Sequence, residues 1–306
     1  MADLVLENRL LTRSMTAAGD DAYRRNGPGA LADRPSRPGR IWNRLPEEIR
    51  DQIVALALEQ PELSPRAWAV RFTDERRYFV SEATVYRLLK AQDLITNPAY
   101  IVVKAADAFR DKTTAPNQLW QTDFTDLKVV GWGWYYLSTV LDDFPRCIVA
   151  WKLGTTMQAC DVGATLDLAL TTAGLDQVDV VHRPRLLTDN GSSDVASDLA
   201  DWLNSRGMTH IRGAPRHPQI QGKIERWHQT LKNRILLEHA HLPGELEARV
   251  ADFVAHDNHL RAHESLGNLT PADVYFGRGE AILQERARIK RQTLMDRRLR
   301  HHAQAA

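Results

Sequence analysis

The chain has 306 residues, of which 43% are hydrophobic and 26% are charged, and its formal net charge is +1. These values are ordinary for a globular protein, and the length is enough for one large domain and a smaller one. No run approaches the roughly 18 apolar residues that a membrane span needs, and the first residues lack the pattern of a secretory signal. The only two cysteines, Cys147 and Cys160, indicate a reducing compartment and exclude a cysteine-rich zinc site.

Arginine is concentrated near both ends of the chain. Residues 24–50 contain seven arginines, and residues 285–302 contain six arginines and one lysine. Basic ends around a more acidic middle suit a protein that grips a polyanion and works on it with carboxylates. On charge alone, two solvated tails are the simpler interpretation.

The first third of the chain predicts helices only. A short helix is expected over residues 3–15 and a basic linker over residues 19–45. Pro46 then opens a helix with acidic residues in its first turn, and Ser64-Pro65 opens another. Ser81 can cap a third helix, whose inward-facing residues are Val85, Leu88 and Leu89.

The outer face of this third helix carries Thr84, Arg87 and Lys90. Three short helices that end in a capped helix with exposed basic side chains resemble a helix-turn-helix, in which these three residues would contact DNA. A small helical bundle without any DNA contact fits the same pattern about equally well.

A different pattern begins near residue 117. Three runs rich in β-branched and aromatic residues predict strands joined by tight turns: LWQTDFTDLKVV, WYYLSTVLDDF and RCIVAWKL. A helix over residues 157–173, with Ala164, Leu168 and Ala169 on one side, is followed by a strand (RLLTD), a helix from Ser193, a strand (MTHIR) and a long helix (GKIERWHQTLKNRILLEHA). The order βββαβαβα predicts an α/β fold, a mixed five-stranded sheet with flanking helices of the ribonuclease-H-like plan.

Three acidic residues fall where such a sheet would gather them. Asp123 is in the middle of the first strand, Asp189 is at the carboxyl end of the fourth, and Glu225 is in the first turns of the long helix. Phosphoryl transfer on DNA needs an activated attacking oxygen and a stabilised leaving oxygen, which two carboxylate-held Mg²⁺ ions can provide. Taken singly, each acid is also an ordinary cap, turn or surface group. Asp142 and Asp143, at a hairpin end, are predicted to be turn residues.

Short motifs decide between these interpretations. WQTDFT contains Asp123, TDNGS contains Asp189, and HPQIQGKIER contains Glu225. Together with the closing segment HDNHLRAHESLGNLTPADVYFG, they resemble retroviral integrases and the integrase-core DDE transposases of bacterial insertion sequences. The resemblance runs from about residue 46 to about residue 300.

This resemblance implies a transposase that cleaves DNA at the ends of an insertion sequence and joins it by attack of a 3′-hydroxyl on a phosphodiester. Asp123, Asp189 and Glu225 would be the catalytic residues and the ligands of two Mg²⁺ or Mn²⁺ ions. The implied partners are double-stranded DNA, as element ends and as target, and further copies of the chain in a homo-multimer on DNA. An upstream-frame transposase protein is a further candidate partner, and the expected location is the bacterial cytoplasm, in association with the nucleoid and not with a membrane.

The long helix suggests additional DNA contacts. Lys232 follows Glu225 by seven residues, and therefore lies on the same face, with Gln229 between them. In the family this face lies along DNA, so Lys232 is expected to contact phosphate, although a solvated lysine is the simpler alternative. Trp227 and Leu231, on another face, are expected in the core.

Five positions depart from the family pattern: Asp126, Pro145, Asp194, Ile220 and Asp257. None belongs to the three acids, but together they suggest a copy of reduced activity. Two alternatives follow, a weakened copy that acts as a DNA-binding repressor of transposition and a plain ribonuclease-H-like nuclease, against which the helix-turn-helix argues. The expected domains are an N-terminal helix and basic linker (1–45), a helix-turn-helix (46–95), a linker (96–116), the catalytic core (117–242), and a C-terminal helical segment with a basic tail (243–306).

Overall fold

The computed structural model describes residues 42–61, 63–95, 113–176, 183–188, 193–212, 222–238 and 241–304. The helix expected over residues 3–15 lies outside these ranges, as do Asp189 and Ile220, and the side chain of Asp194 is not described. The chain divides into a large unit, Leu45–Asp296, and a small unit formed by its two ends. Within the small unit, the Arg298 guanidinium lies over the ring of Trp42 at 5.0 Å.

The large unit begins with the three expected helices, α1 (Glu47–Glu59), α2 (Pro65–Arg76) and α3 (Glu82–Ala91). The side chain of Ser81 caps α3 by accepting a hydrogen bond from the Thr84 N–H at 3.3 Å. The predicted inward residues of α3 are buried in a core shared by all three helices, formed by residues such as Ile53, Trp68, Phe72, Val85, Leu88 and Leu89. The predicted arrangement of this domain is therefore confirmed.

Five strands follow: β1 (Leu119–Val129), β2 (Gly133–Asp142), β3 (Ile148–Gly154), β4 (Arg185–Thr188) and β5 (His210–Arg212). They form one sheet in the order β3-β2-β1-β4-β5. The first three strands are antiparallel to one another, whereas β4 pairs parallel with both β1 and β5. This mixed sheet has the predicted ribonuclease-H-like plan.

Helices cover both faces of the sheet. One face packs against α4 (Ala159–Thr172) and α5 (Ser193–Ser205), and the other packs against α6 (Gly222–Glu238) and α7 (Pro243–His259). Side chains alternate along a strand, so β1 contributes to both faces. Trp120 packs in the core beneath α4 and α5, whereas Leu127 and Val129 pack in the core beneath α6 and α7. This alternation directs Asp123, an odd-numbered residue of β1, toward the face that α6 covers.

One helix is oriented differently from the prediction. Leu168 was expected on the apolar side of α4, but its side chain is 47% exposed. The buried stripe of α4 consists instead of residues spaced at one helical turn: Val162, Leu166, Ala169 and Leu170. A single leucine next to two alanines did not identify the correct face.

The C-terminal part is helical, with a short 3-10 helix (Glu264–Leu266), α8 (Pro271–Tyr275) and α9 (Gly279–Ala303). Asn258 of α7 brackets Ile148 of β3, accepting from its N–H and donating to its C=O, both at 2.9 Å. The helix α9 also contacts the N-terminal domain, since the Thr293 hydroxyl accepts a hydrogen bond from the Phe79 N–H at 3.0 Å. In the part of the chain that the structure describes, no helix is long and apolar enough to span a membrane.

Candidate active site

Asp123 lies in the middle of β1, and its Cα partner on β2 is Thr139. The carboxylate is partly buried, with 24% of the side chain exposed. Its Oδ1 accepts a hydrogen bond from the Phe124 N–H at 2.8 Å. That bond orients the carboxylate, and its Oδ2 points toward α6.

His228 of α6 meets this carboxylate. Its Nδ1 lies 3.4 Å from Asp123 Oδ2, and its Nε2 lies 3.2 Å from the hydroxyl of Thr139. The imidazole is buried. Because Asp123 and Thr139 are opposite each other on β1 and β2, His228 links both strands to α6. Glu225 precedes His228 by three residues, so it lies one helical turn away on a neighbouring face. The structure thus brings the part of α6 that carries Glu225 to Asp123.

Asp189 follows β4 directly, outside the described residues. The strand β4 pairs with the start of β1, where Leu187 is the partner of Gln121. The last residue of β4, Thr188, is therefore one residue short of the level of Asp123 along β1. Within the described ranges no group of three potential metal ligands is found.

The two described carboxylates have the donor chemistry that a hard divalent cation requires, namely oxygen ligands. Glu225 is exposed, and no described residue forms a hydrogen bond or ion pair with it. Asp123 has one oxygen held by a backbone N–H and faces a histidine, not a lysine or arginine. A cation would stabilise carboxylates that no described lysine or arginine neutralises, so these residues fit a divalent metal.

Asp143 lies in the turn after β2, as the sequence predicted, but its carboxylate forms a buried junction that the sequence did not predict. It follows the last residue of β2, yet its carboxylate accepts from Gln121 Nε2 at 2.8 Å and from Thr113 Oγ1 at 2.6 Å. The Lys223 ammonium contacts the same carboxylate at 2.7 Å and the Asp143 carbonyl at 2.9 Å. Since Lys223 is in the first turn of α6, this junction ties the start of that helix to the sheet, two residues before Glu225.

Asp142 is the last residue of β2 and is fully buried, which departs from the prediction of a turn residue. Its carboxyl oxygens accept hydrogen bonds from the N–H groups of Asn117 at 2.6 Å and Phe144 at 3.1 Å. Burial raises the pKa of Asp142 to about 7, and the charge of Asp143 contributes in the same direction.

The expected DNA contacts of α6 already have partners within the chain. Lys232 Nζ lies 2.7 Å from Asp126 Oδ1, and Gln229 Nε2 donates to Asn233 Oδ1 at 2.9 Å. The ammonium of Lys232 lowers the pKa of Asp126 below its usual range. Lys232 is thus ion-paired and not simply solvated, and one of the five departures from the family pattern is its partner.

The other expected DNA contacts lie on α3. Arg87 and Lys90 are exposed, and Thr84 is half-buried. Arg87 Nε donates to the Ala83 carbonyl of its own helix at 3.0 Å. The Thr84 hydroxyl shares a hydrogen bond with Ser81 Oγ at 2.8 Å, so Thr84 takes part in the cap of the helix.

Sequence reasoning did not single out His228 as a site residue. Trp227 and Leu231 are buried, as predicted. His228 lies on α6 at the border between these core residues and the face that carries Glu225, and this position was the available signal. The departure Asp257 also has a structural role. Its carboxylate accepts from the indole Nε1 of Trp227 at 3.1 Å and from Arg261 at 2.9 Å, which fixes α6 against α7.

Comparison with protein families gives three matches along the chain. Two profiles described as "Integrase core domain" match residues 113–218 and 206–271, and one described as "Homeodomain-like domain" matches residues 21–89. The transposase for insertion sequence element IS904 of Lactococcus lactis is 30% identical over 168 residues, which are 53% of this chain and 62% of that protein. An uncharacterised 39.2 kDa protein of insertion element IS476 from Xanthomonas euvesicatoria is 28% identical over 163 residues, covering 52% and 44%. The Gag-Pol polyprotein of Rous sarcoma virus is 30% identical over 122 residues, covering 39% and 7%.

The chain thus spans less than two thirds of the length of these relatives. Among solved structures, the HTLV-2 integrase catalytic core domain in complex with magnesium is 21% identical, with a TM-score of 0.41 over 53% of this chain and 97% of that one. The simian T-cell lymphotropic virus intasome in complex with a PP2A regulatory subunit is 17% identical, with a TM-score of 0.47 over 73% and 74%. The two integrase-core profiles together match residues 113–271, so this part of the chain is an integrase core domain.

Proposed function

We propose that the chain is a transposase that cuts DNA at the ends of an insertion sequence and joins the freed ends to a target. Water would attack a phosphodiester to free a 3′-hydroxyl, which would then attack a target phosphodiester, one P–O bond forming for each that breaks. The observation that carries the proposal is the contact between His228 and Asp123, which brings the helix of Glu225 to the strand of Asp123.

Asp123, Asp189 and Glu225 are the proposed catalytic residues and metal ligands. Two bound Mg²⁺ or Mn²⁺ ions would activate the attacking oxygen and stabilise the leaving one. The chain itself would orient the Asp123 carboxylate through the Phe124 N–H and His228, and would hold the start of α6 through Lys223 and Asp143.

The proposed domain roles follow the order of the sequence. Residues 46–95 would read the element ends through Thr84, Arg87 and Lys90, residues 117–242 would carry the chemistry, with Gln229 and Lys232 as DNA contacts, and residues 243–306 would support both. We further propose double-stranded DNA as substrate and a homo-multimer as the active form, since cutting and joining two ends takes more than one active site. An upstream-frame transposase protein as partner and a nucleoid-associated cytoplasmic location complete the proposal.

The repressor alternative is not favoured. It rested on the departures from the family pattern, and the two whose side chains are described most fully have structural partners: Asp126 pairs with Lys232, and Asp257 holds Trp227. The curated relative with a named function is a transposase. The homeodomain-like match speaks against a plain ribonuclease-H-like nuclease, which has no need to read duplex sequence.

The test is to incubate the full chain with the DNA that flanks its own gene and Mg²⁺, and to score nicked 3′ ends and joined products. Asp123→Asn, Asp189→Asn and Glu225→Gln should each reduce both products by at least about 100-fold while DNA binding persists, because each removes a ligand charge without changing shape. Asp252→Asn, an exposed residue of α7, is the matched control and should leave both products unchanged. Cleavage near the unaltered level in any of the three variants would remove that residue from the site.

A further inference from the structure

The ion pair between Lys232 and Asp126 joins the same two elements as the candidate active site. Asp126 is on β1, three residues after Asp123, and Lys232 is on α6, seven residues after Glu225. The Nζ and Oδ1 atoms are 2.7 Å apart. Under the proposed function Lys232 contacts DNA, so this pair occupies a side chain that phosphate would use.

Both partners of this pair are accessible to solvent. The side chain of Asp126 is 51% exposed and that of Lys232 is 30% exposed. Because the pKa of Asp126 is lowered, the carboxylate stays ionised at neutral pH, and it occupies the ammonium whenever no other anion does. A phosphate that approaches Lys232 must displace a carboxylate of the same chain and then lie close to its negative charge.

We propose that Asp126 is an intramolecular competitor of DNA phosphate for Lys232. The carboxylate holds the ammonium while DNA is absent, and it lowers the affinity for DNA that offers only its backbone. Duplexes that are also gripped elsewhere, as element ends would be by residues 46–95, can still displace it. Asp126 would thus be a determinant of specificity, and this inference rests on the proposed function.

A double-mutant cycle tests the competition directly. The affinity of the full chain for a fluorescent duplex without element ends would be measured by anisotropy, without divalent metal and at several salt concentrations. Asp126→Asn should bind about two- to fivefold more tightly, the range expected for releasing one exposed ion pair. The plot of log affinity against log salt should become steeper by about 0.9, because one more phosphate is neutralised. In a Lys232→Ala background, Asp126→Asn should change neither quantity.

Asp167→Asn is the matched control, since it also removes one aspartate from a surface ion pair: Asp167 of α4 pairs with Arg206, the residue after α5, at 2.8 Å. Its affinity should remain that of the unaltered chain. Equal tightening by Asp167→Asn, or by Asp126→Asn without Lys232, would mean a general charge effect and would overturn the inference. If Asp126→Asn lowers the melting temperature, Asp126→Thr replaces it in the cycle, because threonine is favoured in β-strands.

The failure of this inference is distinguishable from failure of the proposed function. The cycle measures binding without metal. A chain that shows coupling between Asp126 and Lys232 but never nicks DNA would therefore refute only the proposed transposase activity. A chain that nicks its element ends but shows no coupling between Asp126 and Lys232 would refute only the competition. Absence of any DNA binding would overturn both.

Discussion

At the end of β2, the carboxyl group of Asp142 is buried and satisfied by the two N–H groups of Asn117 and Phe144. Hydrogen bonds of that kind favour the ionised form, yet the pKa is raised to about 7, because the cost of removing the charge from water is larger. The adjacent Asp143 differs only in its neighbours: Lys223 and Gln121 surround its carboxylate. Two consecutive aspartates therefore have different electrostatic roles, which their shared sequence position does not reveal.

We predict that Asp142 makes folding less favourable as pH rises from about 4 to about 7. In this window the unfolded chain, with an ordinary pKa near 4, has lost the proton that the folded chain keeps. The contribution of Asp142 to the free energy of unfolding is therefore highest below pH 4. It falls by up to about 1.4 kcal/mol per pH unit between pH 4 and pH 7, and it is constant above pH 7. Urea unfolding of the unaltered chain and of Asp142→Asn at pH 5 and pH 8 measures the effect.

The Asn variant should have a smaller difference between the two pH values. One N–H would face its amide nitrogen, so a constant loss of about 1 kcal/mol at both pH values is also expected. Because only the difference between pH 5 and pH 8 is compared, other titrating groups cancel between the two proteins. An identical pH difference in both proteins would show that Asp142 keeps an ordinary pKa.

At the scale of elements, α6 combines three functions on one helix. A buried stripe of Ile224, Trp227, Leu231 and Ile235 packs it against the sheet, and Glu225 and Lys232 lie on the exposed side. His228 lies at the border, where it contacts Asp123 and Thr139. The position of the proposed catalytic carboxylates relative to each other therefore depends on how this helix packs on the sheet.

We predict that His228 positions Asp123. His228→Ala should lower nicking by about 10-fold or more and raise the Mg²⁺ concentration needed for half-maximal nicking, as loss of a residue that orients a metal ligand does. The rise in melting temperature on adding Mg²⁺ should shrink in parallel, since this rise reports binding and not catalysis. His228→Asn, whose amide can still donate to the carboxylate, should restore part of each effect.

His259→Ala, at the exposed end of α7, is the control for loss of a histidine and should behave as the unaltered chain. A merely structural role for His228 would lower the melting temperature without changing the Mg²⁺ dependence. That result, or no rescue by Asn, would count against a positioning role.

The sequence predicted the elements better than the contacts between them. The alternation of β1, the cap at Ser81 and the apolar stripe of α6 are local patterns, and each predicted its element correctly. The role of His228, the burial of Asp143 and the pairing of Asp126 depend on residues 80 to 106 positions away, which no local pattern encodes. The motifs around Asp123 and Glu225 identified the candidate site only through the family resemblance.

At the scale of the large unit, helix α9 is the support of the N-terminal domain. Arg286 contacts both carboxylate oxygens of Asp74, at 2.9 Å and 2.7 Å, and donates to the Asn268 carbonyl at 2.9 Å. Arg77 pairs with Glu285 of the same helix, and the Phe79 N–H donates to Thr293. These contacts use the end of α2 and the segment after it, and they leave Arg87 and Lys90 of α3 exposed. The domain proposed to bind DNA is thus held through a surface other than the one that carries Arg87 and Lys90.

We predict that Arg286 fixes the helix-turn-helix on α9. The fork is bidentate and only 18% of the Arg286 side chain is exposed, so its loss should matter more than loss of an ordinary surface pair. In Arg286→Ala, amide hydrogen exchange at Phe79 should accelerate, because the hydroxyl of Thr293 is no longer held in place to accept the Phe79 N–H. Exchange within β1 should stay unchanged.

A double-mutant cycle of Arg286→Ala with Asp74→Ala should give a coupling energy of about 1 kcal/mol. Arg291→Ala removes an exposed arginine from the same helix and should leave Phe79 protected. If Phe79 exchanges at the same rate in Arg286→Ala and Arg291→Ala, the fork does not hold the domain.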